Sequence, residues 1–472
     1  MPNSSDRRPH IALMPTPGMG HLIPFVELAK LLVDRHHLAV TIINMAESSN
    51  QAQDSFLSSL PSFITSLSLP PSPLHDLPAD SRLETYITVA TTRSLPALRS
   101  LLTSLLSTTP LVAFVADLFG TPAFDAAIEL AIPHYLFIPT NFLFLTMLLE
   151  LPALPLTVDY FWQLTDPIQL PGFVPIPGPD VLDPIQDRTD ECYKLILLHA
   201  KRYREAKGIL VNTFVEIEPE AADLLMADNP GRPPVYPIGP LIQIGRQPHA
   251  ERAECLKWLD AQPDKSVVFV SFGSGGTLST EQTQEVALGL EASGQRFLWV
   301  VRSPSDKDSS ATYFTARSAE DPLGYLPDGF LTRTMNFGLI VPSWAPQIEV
   351  LGHNATGGFV SHCGWNSTLE SVAHGVPLIA WPLFAEQKMN AVVLTGGVKV
   401  AMRPKTREDG VVDREEVGRV VRELLVGEEG KVIRRRVEEL KEAAAMALSE
   451  EGSSSKALAE VANKWKSFSS MA

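Results

Sequence analysis

The sequence predicts an α/β protein of two doubly wound, parallel-sheet domains. Three observations carry this. Short β-rich apolar runs alternate with helical patterns, the mark of strands joined by crossover helices. The runs are almost continuously apolar, as suits strands covered on both faces. The chain has 472 residues, more than one ordinary core organises.

The candidate strands of the first half are HIALMP, LAVTIINM, LVAFVADL, HYLFIP and GILVNT. Those of the second half are SVVFVSF, RFLWVV, GLIVPSW, GGFVSH, LIAWP and VKVAM. Between them the pattern lapses over residues 237–252, which read as an interdomain linker. The expected division is therefore an N-terminal Rossmann-like domain over 1–245 and a second over 246–450. Residues 451–472 are read as a C-terminal helix packing back on the first domain. Residues 61–79, rich in Pro and Ser, and 303–327 read as long irregular stretches, either solvated loops or pocket rims. The charged amphipathic patterns VIRRRVEELKEAAAMAL and SSSKALAEVANKWKSF read as helices with solvated faces.

Composition narrows the class. With 45% hydrophobic and 20% charged residues this is a folded globular chain. The formal net charge of −15 repels nucleic acid while leaving room for a local anion site. Cys192, Cys255 and Cys363 form no CxxC pair, which fits a reducing compartment, and no signal peptide is recognisable. The greasiest segment, 135–156, carries Glu150 and is broken by Pro139, Pro152 and Pro155. It reads as a buried strand and helix, not a membrane span. A cytoplasmic protein is expected.

The stretch SHCGWNSTLE, residues 361–370, carries the functional signal. A strand ending at His362 turns through Cys363 and Gly364 into a helix starting near Asn366. The first-turn amides of such a helix, with its dipole, make an anion site suited to phosphate. Asn366 and Ser367 can cap the helix and donate to phosphate, and His362 can add an N–H. An ordinary N-cap is the alternative. Glu370 lies on the same face one turn further in, where a carboxylate would repel phosphate but accept the hydroxyls of a ribose. Phosphate followed by ribose describes a nucleotide, and Trp344 offers a flat face for its base.

Over residues 344–387 the chain reads WAPQIEVLGHNATGGFVSHCGWNSTLESVAHGVPLIAWPLFAEQ, which resembles the donor-binding box of plant family 1 UDP-sugar-dependent glycosyltransferases. The resemblance extends to PGMGHLIP, ILVNTFVEIEP and VVFVSFGS. It implies a GT-B-like fold, two Rossmann-type domains facing each other across a cleft, and a monomer. It also implies that Trp344 stacks on uracil and Gln347 helps hold base and ribose. Glu370 takes the ribose hydroxyls, His362, Asn366, Ser367 and Ser274 hold the diphosphate, and Trp365, Glu386 and Gln387 meet the sugar. Gly20, Ala345 and Gly364 complete the donor set. In this family a Gln at the last box position goes with glucose, so Gln387 points to UDP-glucose.

In the first domain, TPGMGH leaves His21 at the carboxyl end of a strand, where open α/β sheets bind ligands. Asp117 ends a second apolar strand and needs a partner there. Either residue alone reads as structural; the resemblance maps the two onto the family's catalytic pair. The expected mechanism has His21 deprotonate an acceptor hydroxyl while Asp117 fixes its tautomer. The oxygen then displaces UDP with inversion, giving a β-glucoside without a metal. Leu118, Phe119, Thr140, Phe142 and Phe144 are candidates for an apolar acceptor pocket, or else core residues. The wider resemblance, including LPGFVPIPGPDVLDPIQDR, is nearest the hydroquinone (arbutin-forming) glucosyltransferases. Small phenols and indoxyl-like rings are thus the expected acceptors.

Other readings fit less well. GMGHLI and GSGGTL do not complete GxGxxG, no GxxxxGK[ST] occurs, and Ser274 is not in GxSxG. His353, His362 and Cys363 have poor spacing for zinc. A non-catalytic sugar-nucleotide-binding protein on the same scaffold is the alternative from another class, and it has no use for His21 and Asp117.

Overall fold

The structure, a computed structural model, describes residues 8–45, 51–61, 63–78, 81–243, 253–306 and 321–469. It divides into two compact units, one of Met1–Ile242 with Met446–Ala472 and the other Gln243–Ala445.

Unit 1 is built on a sheet of β1 (His10–Met14), β2 (Ala39–Met45), β3 (Ile64–Leu69), β4 (Leu111–Asp117), β5 (His134–Ile138), β6 (Ile209–Val211) and β7 (Val235–Pro237). The strands are parallel and ordered β3-β2-β1-β4-β5-β6-β7. The chain winds outward from β1 in one direction and from β4 in the other, so the sheet's switch point lies between them. Its main helices are α1 (Met19–Asp34), α2 (Leu83–Thr108), α3 (Phe142–Glu150) and α4 (Glu191–Arg202). α1 buries Leu22, Phe25, Val26, Ala29 and Leu32 on its inner stripe, and Phe25 meets Phe137 of β5 edge-on at 4.6 Å.

Two strands depart from the sequence reading. β3 falls inside 61–79, taken above as irregular. Its sequence ITSLSL is half polar and buries only Ile64 and Leu69, because an edge strand pairs on one side alone. β7 is three residues long and ends at Pro237, the first residue assigned to the linker. A short edge strand tolerates proline and leaves no apolar run to detect. Of that linker, 244–252 lie outside the described residues, as do 307–320 of the stretch 303–327.

Unit 2 carries β8 (Val267–Ser271), β9 (Arg296–Val301), β10 (Gly338–Pro342), β11 (Thr356–Ser361), β12 (Leu378–Ala380) and β13 (Ala401–Met402). All six are parallel, in the order β10-β9-β8-β11-β12-β13, with the switch point between β8 and β11. α5 (Thr280–Ser293), α6 (Trp365–Ala373), α7 (Arg414–Val426) and α8 (Glu428–Leu448) belong to this unit over all or most of their length. The three cysteines are free and buried.

The chain returns to unit 1 within α8, at Met446, a few residues before the 451 read from sequence. The last helix, α9 (Ser453–Ser469), adds Leu458, Val461, Ala462 and Trp465 to the core of unit 1. Trp465 stands edge-on to Tyr135 at 5.3 Å, and Lys464 donates to the Tyr236 hydroxyl at 2.7 Å. No helix among the described residues is long and apolar enough to cross a membrane.

Candidate functional site

In unit 2 the residues singled out by sequence gather at the carboxyl edge of the sheet. Ser274 follows β8, Trp344 to Gln347 follow β10, His362 to Glu370 follow β11, and Glu386 and Gln387 follow β12. Each of these connections carries a residue in the left-handed region: Gly273 at φ 75°, Ser343 at 65°, Cys363 at 64° and Ala385 at 56°. A non-glycine residue held there costs on the order of 1–3 kcal/mol, and such strain collects at functional sites.

The turn from β11 into α6 differs from the sequence reading in one respect. α6 starts at Trp365, its N-cap is Gly364, and no side chain caps it. Asn366 and Ser367 therefore sit inside the first turn and do not cap it. The helix N-terminus keeps its anion-binding character. Glycine is required on both sides of His362. A Cβ at Gly364 would lie 2.4 Å from His362 Nε2, and one at Gly273 would lie 2.6 Å from its Cε1. The imidazole is wedged between two backbones, and burial, then the charge of Arg302, lower its pKa to about 4. It is a neutral donor at physiological pH.

One turn further in, Gln347 donates from Nε2 to Ser367 Oγ at 2.9 Å and to Glu370 Oε2 at 2.7 Å. Glu370 is 7% exposed, and burial raises its pKa to about 7, the Gln347 contact opposing. A carboxyl so poised gains from the hydroxyl donors of a ribose diol. Trp344 is 59% exposed, a large aromatic face left to solvent. Ala345 and Trp365 are buried, and Ser274 is exposed. Gln387 accepts the Leu383 and Phe384 N–H groups through Oε1 at 2.9 and 3.1 Å, which commits its carbonyl and leaves its amide nitrogen as the donor. Asn390 ties Glu386 to the Cys363 carbonyl, at 3.3 and 2.9 Å. Burial pushes the Cys363 thiol up to about 12, so it packs and does not attack.

In unit 1, His21 and Asp117 meet at the switch point. α1 begins at Met19, so His21 lies in its first turn and not at the strand end itself. Gly18 holds the φ of 120° that the turn needs, while Gly20 is helical with open space where a Cβ would go. His21 Nδ1 lies 2.8 Å from Asp117 Oδ2. That oxygen also accepts the Thr16 N–H at 3.0 Å and the Thr16 hydroxyl at 2.9 Å, and Oδ1 accepts the Leu118 N–H at 2.5 Å. A carboxylate only accepts, so Nδ1 carries the proton and Nε2 is the basic nitrogen. Asp117 is wholly buried and His21 is 15% exposed at its side chain. Thr16 was not legible in the sequence; its partner is 101 positions away.

Of the acceptor-pocket candidates, Leu118, Thr140, Phe142 and Phe144 are buried, and Phe119 is partly exposed. Phe119 lies 6.2 Å from the His21 ring and 5.9 Å from His199. His199, flanked by the Thr121 and Thr88 hydroxyls at 2.6 and 2.9 Å, has its pKa lowered to about 3 by burial, then by Arg202. It is a neutral wall behind Phe119. Phe142 is fully buried and packs in the core. Among the described residues no group of three or more His, Cys, Asp or Glu could hold a metal ion.

Comparison with known proteins fits this geometry. Residues 229–414 match the family model for UDP-glucoronosyl and UDP-glucosyl transferase. The chain is 55% identical over 463 residues to the hydroquinone glucosyltransferase of Rauvolfia serpentina, covering 98% of each. It is similar to a solved UDP-glucosyltransferase from Polygonum tinctorium capable of glucosylating indoxyl, in complex with 3,4-dichloroaniline. There the identity is 49%, the TM-score 0.91, and coverage 97% of this chain and 99% of that one. Phytolacca americana UGT2, complexed with UDP-2fluoro-glucose and pterostilbene, gives 47% identity and a TM-score of 0.88 over 97% of this chain and 100% of that one. With this likeness along nearly its whole length, a GT-B-like fold and the donor-box residues gathered at one sheet edge, the chain belongs to the UDP-glucoronosyl and UDP-glucosyl transferase family.

Proposed function

We propose that this enzyme transfers glucose from UDP-glucose to the hydroxyl of a small phenol, hydroquinone or indoxyl-like acceptor, with inversion and without a metal ion. The observation that carries the reading is the His21–Asp117 contact, braced by Thr16. His21 Nε2 takes the acceptor proton as the oxygen forms its bond to the anomeric carbon. The bond from that carbon to the diphosphate oxygen breaks, and UDP leaves with the electron pair. Asp117 stabilises the imidazolium. General-base help of this kind contributes roughly 10²- to 10⁴-fold.

In unit 2 we assign the diphosphate to the α6 N-terminus with His362, Asn366, Ser367 and Ser274, the ribose to Glu370 and Gln347, and uracil to Trp344. Glu386 and the Gln387 amide face the sugar. Preorganised donors at the leaving group are worth about 2.7–4 kcal/mol each where such groups have been removed from enzymes. The glucose assignment rests on Gln387 and on the names of the relatives, and the acceptor class on those relatives. Free, buried cysteines fit a cytoplasmic setting. A binder without catalysis has no need of an imidazole oriented by a buried carboxylate.

The test is UDP release from UDP-glucose against hydroquinone, simple phenols, indoxyl, monolignols and flavonols, with EDTA throughout, and the anomeric coupling of any product. Acceptor-dependent release of a β-glucoside supports the proposal. Loss of activity in EDTA, an α product, or donor binding with no release for any acceptor defeats it.

A further inference from the structure

Just past the donor box lies a buried amide to which the chemistry above gives no role. Asn390 stands in the short helix Gln387–Val392 and is 1% exposed. Its Nδ2 donates to the Cys363 carbonyl at 2.9 Å and to Glu386 Oε1 at 3.3 Å. A carbonyl and a carboxylate only accept, so the nitrogen of the amide, and not its oxygen, must face them both. One NH₂ group thus joins the turn after β11 to the side chain of a residue in the turn after β12.

Both turns carry a non-glycine residue in the left-handed region, Cys363 at φ 64° and Ala385, next to Glu386, at 56°. Such conformations persist where the surroundings over-determine them. The β11 turn meets that condition without Asn390. The Cys363 N–H reaches Ser361 Oγ at 3.3 Å, its thiol reaches the Ser361 carbonyl at 3.6 Å, and the His362 ring is wedged between Gly273 and Gly364. In the β12 turn Gln387 holds the backbone through the Leu383 and Phe384 N–H groups. What Asn390 adds there is a hold on the Glu386 carboxylate itself, which is partly exposed.

We propose that Asn390 is a positioning residue that holds the Glu386 carboxylate in register with the diphosphate turn and so sets how sharply the enzyme tells one UDP-hexose from another. The inference rests on the assignment of Glu386 to the sugar and of the α6 N-terminus to the diphosphate. UDP-glucose and UDP-galactose differ in the direction of one hydroxyl, so telling them apart takes polar groups held to within about 0.5 Å. A carboxylate that swings freely follows a hydroxyl to either place, and one tied to the turn beneath the diphosphate does not. Asn390 acts through Glu386, not by touching substrate.

The experiment compares kcat/KM for UDP-glucose and UDP-galactose with hydroquinone, and measures UDP affinity by calorimetry. Wild type is expected to prefer UDP-glucose at least about tenfold. Asn390→Ala is expected to narrow that preference about threefold or more, with UDP affinity within about threefold of wild type, since the hydrogen bond lost is one to a charged group on the sugar side. In a Glu386→Ala background the same change is expected to alter the ratio no further. Asn390→Ser is expected to behave as Asn390→Ala does, and UDP binding reports that each variant is folded. An unchanged ratio in folded Asn390→Ala overturns the inference, as does equal use of both donors by wild type or an additive double variant. A loss of UDP affinity as large as the change in ratio also overturns it, because Asn390 then serves the diphosphate turn alone. Glu386→Ala separates the two readings. If it leaves the ratio unaltered, the sugar is misplaced; if it narrows the ratio while Asn390→Ala changes nothing, Asn390 alone has been misread.

Discussion

Replacing Asp117 by Asn tests the catalytic assignment through four contacts. The native carboxylate accepts from His21 Nδ1, the Thr16 N–H and the Thr16 hydroxyl on one oxygen, and from the Leu118 N–H on the other. An amide has one oxygen, so in either orientation its NH₂ faces an N–H donor. The larger loss is charge. At 2.8 Å, a carboxylate and an imidazolium interact by about 6 kcal/mol at an effective dielectric of about 20. The amide retains a dipole and part of the hydrogen bonding, so about 4 kcal/mol is expected to be lost from the transition state, roughly 10³-fold in kcat. The assay is UDP release with a weakly acidic phenol at saturating UDP-glucose. The fall belongs in kcat, with the donor KM within about threefold of wild type. A nitrophenol, already partly ionised, should lose much less. A kcat within about tenfold of wild type for the weakly acidic phenol would refute the assignment.

Other expectations follow from the same contacts. Gly364→Ala drives a methyl into the His362 ring, 2.4 Å from Nε2, and should raise the donor KM at least about tenfold while leaving the acceptor KM alone, as initial-rate kinetics will read. Glu370→Ala removes the proposed acceptor for two ribose hydroxyls and should weaken UDP binding by about 10- to 100-fold by calorimetry, charged hydrogen bonds being worth about 1.5–3 kcal/mol. His362 titrates near 4 folded against 6.5 ordinarily, so the unfolded chain binds protons first as pH falls. Its share of stability is present above 6.5 and is lost on going down to 4, and His362→Gln should flatten the melting temperature over that window. Trp465→Ala empties a 1% exposed site in the core of unit 1 and should cost about 3–5 kcal/mol in denaturant unfolding.

What the sequence made legible was local. The donor box is contiguous, so the spacing of Ser367 and Glu370, with Gln347 added by the family resemblance, already implied the cluster that the fold assembles. The six strands of unit 2 are apolar runs between clear turns and were all recognisable. Asp117 ends such a run and His21 follows one through a Gly-rich turn, but either alone reads as structural, and it was the family resemblance that paired them. The misses were non-local or marginal. Thr16 matters only through a partner 101 positions on, and Asn390 through a carbonyl 27 positions back. β3 and β7 are edge strands without the apolar run that betrays a buried one. Arg302, just after β9, donates from Nη1 to the Ser274 carbonyl at 2.6 Å, a contact between loops 28 positions apart that no motif signals.

The most direct measurement is UDP release from UDP-glucose with hydroquinone, in EDTA, by wild type and His21→Ala, with donor affinity measured alongside. The account requires release by wild type only when acceptor is present, and at least a 10²-fold slower rate for His21→Ala with UDP binding intact. Near-wild-type turnover by His21→Ala would contradict it.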